Sequence, residues 1–139
     1  MGTKEFLEKV RSERVIIRLR KDEIKQLEAD IVSIKSPGMR EKVSTYHVGD
    51  ISELLIKLEE RIEKAAGELK GLLEMEEEAA RLISKEREEN RERYEILYRY
   101  YILNEPIKEI AKRKCIDNRW VYRQIDSGCE DIDRMLGKE

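Results

Sequence analysis

The chain has 139 residues, of which 43% are charged and 40% hydrophobic, with two prolines and a formal net charge of -2. Regularly recurring aliphatic residues exclude a disordered polymer, and the charge content disfavours a sandwich or a buried parallel sheet. A near-neutral total leaves any nucleic-acid contact to a local cluster of bases rather than to the whole surface.

Charges run throughout the opening residues Met1–Glu23, with no apolar signal core, and no later run reaches membrane-spanning length. Cys115 and Cys129 are the only cysteines. The expectation is a cytoplasmic protein with reduced thiols and no membrane partner.

Lys4 to Lys35 reads as a helix. Val10, Ile17, Ile24 and Ile31 repeat at seven residues, with Phe6, Leu27 and Ile34 on the neighbouring edge. Glu13 and Arg20 interrupt that second row, giving an imperfect coiled-coil face. Ser36, Pro37 and Gly38 stop the pattern, and a connection is expected near 36–49. Asp50 is expected to cap the next helix, with Glu53 at its third position. Ile51, Leu55, Leu58, Ile62, Ala65, Leu69 and Leu72 then alternate steps of four and three, and Ala79 and Ile83 resume the row. Continued to roughly Asn90, this helix would be about 60 Å long. Gly67 and Gly71 within it predict close approach of a neighbouring helix, or a bend.

A helix of that length needs the first helix folded back on it, another chain, or both. The expected fold class is therefore all-α. Residues 1–90 form an antiparallel hairpin or coiled coil, and residues 91–139 form a small head. A homodimer through the long helices and a self-packed monomer both fit this pattern.

The head begins with a helix carrying Tyr94, Leu97, Tyr98 and Tyr101 on one face and ending near Asn104. Pro106 suits the first turn of a short second helix, whose inward face is Ile107, Ile110 and Ala111. A turn over Lys114 to Ile116 leads to Asp117, a good cap for a longer helix with Val121, Ile125, Cys129 and Ile132 on one side. That order of elements predicts a helix-turn-helix behind a support helix. Its core is Leu97, Tyr101, Ile110, Ala111, Val121 and Ile125. With Val121 and Ile125 inward, Asn118, Arg119, Tyr122 and Arg123 face a major groove as candidate base contacts. Lys108, Lys112 and Lys114 are candidate phosphate contacts. Trp120 is expected to pack across the turn, with the sugar-phosphate backbone as its alternative. Between Pro106 and Ile125 six bases stand against Glu109 and Asp117 alone. Leu73–Ala79, by contrast, holds four glutamates and no base.

The stretch RYYILNEPIKEIAKR through IDNRWVYRQIDSG resembles the C-terminal recognition region of sigma factors. The whole arrangement is similar to a family of small phage-encoded regulators of Gram-positive bacteria, close to the ArpU and RinA-type late regulators. Arg99-Tyr100-Tyr101 matches that family's RY element, Glu109-Ile110-Ala111 its EIA element and Val121-Tyr122-Arg123 its VYR element. The resemblance implies recognition of duplex DNA coupled to recruitment of host RNA polymerase, or to control of phage late genes. Four features depart from the family. Glu105-Pro106-Ile107 replaces a glycine-containing approach, and Cys115 stands where glycine is frequent, implying a different turn. Asp126 replaces a base, and Gly128 falls within the recognition helix, which is expected to end or bend there.

No enzyme, cofactor or metal is expected. His47 is the sole histidine and lies in the connection, the cysteines lack a ligand cluster, and the glutamates follow an exposed helical surface. The competing reading is a coiled-coil interaction protein, or a phage structural or assembly adaptor, whose head does not bind DNA.

Overall fold

The computed structural model describes residues 2–35 and 48–138, with side chains placed for 2–35 and 51–137. Ser36, Pro37, Gly38 and His47 lie outside the described residues. In chain order the helices are α1 (Thr3–Lys35), α2 (Val48–Ser84), α3 (Glu86–Glu89), α4 (Arg91–Leu97), a π-helical turn (Tyr98–Ile102), α5 (Ile107–Lys114) and α6 (Asn118–Lys138). The fold is all-α, with no strand among the described residues.

Two compact units are present. One comprises Val15–Gly71, the other Met1–Arg14 together with Leu72–Glu139. In the first, α1 and α2 form an antiparallel hairpin. Arg20 pairs with Glu68 at 2.8 Å, while Glu23, further along α1, meets Arg61, further back on α2, at 3.6 Å. Ile17, Leu27, Leu58 and Ala65 are buried between them. A pair of helices can cover only one stripe of each, so Val15, Leu19, Val32, Leu54 and Ile56 remain exposed.

The second unit is a several-sided core. Leu7 and Val10 of α1 and Ala79 and Ile83 of α2 join Ile96, Leu97, Tyr101, Ile102, Ile110, Ala111, Val121, Ile125, Cys129 and Ile132 in one cluster. The sequence boundary near residue 90 thus falls inside this unit. Three turns of α1 serve as one of its helices. Asp133 of α6 caps the start of α1, accepting from the Thr3 backbone N–H at 2.9 Å and from its hydroxyl. Arg11 lies over the Tyr100 ring at 4.2 Å and donates to the Tyr100 carbonyl, and the Tyr101 hydroxyl reaches Glu8.

Several local expectations change. α2 starts at Val48, so Asp50 stands inside its first turn rather than before it as a cap. The long helix does not continue to Asn90. It breaks at Lys85, whose N–H bonds three residues back to Leu82. Asn90 is then extended (φ -156°, ψ 99°), and its side chain accepts from the Arg93 N–H at 3.1 Å to cap α4. Asn90 therefore starts a helix instead of ending one. At Gly67 and Gly71 an added Cβ would meet nothing within 4 Å, so close packing among the described residues does not explain them.

Candidate nucleic-acid interface

The support element is α4 and the π turn. The wider turn, closed by Leu103 N–H to the Tyr98 carbonyl at 3.0 Å, lets the adjacent Tyr101 and Ile102 both point into the core. Asn104 ends it in the left-handed conformation (φ 58°), which asparagine tolerates well. A chain of ion pairs ties this segment to α5. Arg99 holds Glu95 and Glu105, each at 3.1 Å, Arg113 adds to Glu105 at 3.3 Å, and Lys114 pairs with Glu95. Lys114, then Arg99, hold the Glu95 carboxyl below the usual carboxylate range. Glu105 thus fastens the segment before α5.

Pro106 precedes α5 in an extended conformation, and its carbonyl accepts from Glu109 and Ile110. α5 ends at Cys115, which takes the left-handed conformation (φ 56°, ψ 43°). The expected departure from a glycine-type turn does not occur: the chain keeps the backbone shape that glycine favours and places a side chain on it. That arrangement costs about 1–2 kcal/mol relative to right-handed backbone. Asp117 then receives the N–H groups of Trp120 and Val121 on its carbonyl and that of Arg119 on its side chain at 3.2 Å. α6 follows as one helix through Gly128, which neither ends nor interrupts it. The reason for glycine there is close approach, since a Cβ would sit 2.7 Å from the Leu97 Cδ1 atom.

All six expected core residues, Leu97, Tyr101, Ile110, Ala111, Val121 and Ile125, are buried. Burial pushes the neighbouring Cys129 thiol up to about 12, leaving it protonated and unreactive, and raises Tyr101 as well. On the opposite side of α6, Asn118, Arg119, Tyr122 and Arg123 are all exposed. Trp120 is 45% exposed and lies outside the buried core cluster. Asp126, one turn further on, is paired with Lys4 of α1 at 2.7 Å, which offsets the negative charge at that end of the face and raises the lysine's proton affinity.

Some cations of this unit are committed to ion pairs and others are exposed without one among the described residues, Lys9, Arg87 and Arg91 included. Arg93, Arg99, Arg113, Lys114 and Arg134 are ion-paired. Lys108 and Lys112 on α5 and Arg119 and Arg123 on α6 are exposed, with no ion pair among the described residues. Lys114, grouped by sequence with Lys108 and Lys112, is instead half-buried and committed to Glu95. Sequence reasoning missed Lys4 and the capping contact of Asp133, because both depend on contacts more than a hundred residues apart. No protein-family model, curated protein or solved structure matches the chain. Among the described residues no helix is long and apolar enough to cross a membrane, and no group of metal-ligating side chains assembles.

Proposed function

We propose that this chain is a sequence-specific duplex-DNA-binding regulator that lays α6 in the major groove. The observation supporting it most strongly is that Lys108, Lys112, Arg119 and Arg123 are exposed, without an ion pair among the described residues, on the two consecutive helices read as a helix-turn-helix. In this reading Arg119 and Arg123 address guanine edges, and Asn118 an adenine edge. Tyr122 contributes hydrogen bonding and apolar contact beside them. Lys108 and Lys112 set register on phosphates, whereas Lys114 must first leave Glu95 to do so. Trp120, exposed at the first turn of α6, is available to the sugar-phosphate backbone. The sequence resemblance extends the proposal to phage late genes and to cooperation with host RNA polymerase in the cytoplasm.

Selection from a library of duplex fragments of the native genome, at moderate salt, tests this directly. Enrichment of one sequence supports the regulator. Absence of binding by folded protein even at low salt sinks it.

A second reading draws on the other unit. The exposed Val15, Leu19, Val32, Leu54 and Ile56 of the hairpin favour a protein partner, either a second copy or polymerase. It becomes the main reading, that of an interaction or assembly adaptor, if the DNA selection fails.

A further inference from the structure

Glu86 breaks the pattern of the other glutamates. It lies in the charged run between α2 and α4, where sequence places acids in water, yet its side chain is fully buried in α3, packed against α4 and α6. Neither of its carboxylate oxygens has a hydrogen-bond partner among the described residues. A buried, ionised carboxylate without a donor is among the least favourable arrangements a fold can hold.

The groups facing it explain how it is tolerated. Asp131 comes from α6, and its two oxygens accept from Arg93 Nη1 of α4 at 2.8 Å and from Arg134 Nη2 of α6 at 3.3 Å. The Arg93 Nε is directed at Gln124 Oε1, and Arg134 also holds Glu89 of α3 at 3.0 Å. Both arginines are therefore turned onto acceptors other than Glu86. Glu86, Glu89 and Asp131 would place three negative charges against two guanidinium groups. A proton on Glu86 removes one charge and creates an O–H donor for Asp131.

We propose that this compact unit folds around one bound proton, carried on Glu86 and shared with Asp131, and that its release to solvent loosens the joint of α3 with α4 and α6. Burial first, and then Asp131, push the Glu86 carboxyl up to about 8, and Arg93 only partly opposes them. The affinity for this proton is thus raised on folding. Its stabilising effect is complete below the ordinary glutamate range, declines as pH rises towards 8, and is gone above it. Across that window the folded chain holds about one proton more than the unfolded chain.

The test is thermal unfolding of the full chain from pH 5 to 9, beside Glu86→Gln. Glutamine keeps the shape and an N–H donor for Asp131 but has no proton to lose. All other titratable groups are common to both proteins, so the comparison isolates Glu86. The melting temperature of the wild type is expected to fall relative to the variant up to about pH 8 and then to run parallel to it. Profiles parallel throughout overturn the proposal. A direct reading on the unaltered chain, the carboxyl-carbon NMR titration of Glu86, decides the matter should the variant fail to fold. A midpoint near 8 supports the bound proton, and one near the ordinary value of about 4.3 overturns it. Neither measurement depends on DNA binding.

Discussion

Leu7 and Leu58 are the same residue type on long helices, but they sit in different company. Leu7 is fully buried in the many-sided unit, together with Leu97, Tyr101, Ile110 and Ile132. Leu58, at 8% exposure, lies in the two-helix unit, where Val15 and Val32 are 60% and 68% exposed. Identical helical periodicity therefore produces a closed core in one place and a half-covered stripe in the other. The number of surrounding elements, not the local apolar pattern, decides how much hydrophobic free energy each leucine contributes.

The largest expected effect breaks that contrast at its strongest point. Leu7→Ala should destabilise the many-sided unit by about 3–5 kcal/mol, and Leu58→Ala the hairpin by about 2 kcal/mol or less. Chemical denaturation of the two variants distinguishes them, and equal losses would dissolve the distinction. Loss on Leu7→Ala also makes three turns of α1 a working part of the head, so a fragment starting at residue 91 should fail to fold cooperatively.

Gly128→Ala sharpens the same point. Helix propensity alone predicts a gain of about 1 kcal/mol. Contact with the buried Leu97 side chain predicts a net loss of about 1–3 kcal/mol instead. The sign of the change in melting temperature separates the two.

Surface changes on the same unit should act on binding and spare the fold. Arg119→Ala and Arg123→Ala should each weaken a selected DNA site by about 1–3 kcal/mol, with melting temperature unchanged. Lys112→Ala should weaken all sequences alike and reduce the salt dependence by about one ion. Equal loss across all sequences for the two arginines would move them from base contacts to phosphate contacts.

The smallest effect is at the turn. Cys115→Gly should stabilise the chain by up to about 1 kcal/mol, because glycine takes the left-handed backbone without strain. Cys115→Val, measured alongside by thermal unfolding, should have the opposite sign.

Much of this architecture is legible in the sequence, and the reasons are local. The four-and-three spacing from Ile51 to Leu72 specifies a helix whatever it meets. Val121, Ile125, Cys129 and Ile132 fix which side of α6 is inward, and so which residues face out. Other features arise only when distant segments meet. Leu7 does not stand out in the sequence, because the α6 residues of its cluster lie more than a hundred residues away. Glu86 looks like any acid of a solvated face until α4 and α6 enclose it. Lys114 is grouped with its neighbours by charge, and only Glu95, nineteen residues earlier, turns it aside. The end of α2 is not legible because Asn90 serves equally well as a terminating or an initiating residue. Its extended backbone and the Arg93 N–H settle the choice.

The bond from Thr3 to Asp133 spans 130 residues. A ribosome adding about 5–20 residues per second needs on the order of ten seconds to make that stretch. For that interval Phe6, Leu7 and Val10 lack Ile132 and the rest of α6 to cover them. The apolar face at the start of α1 waits for α6 while the residues between them are made. Closure of the head is therefore late relative to the synthesis of α1, because one of its walls precedes its α6 partner by 130 residues.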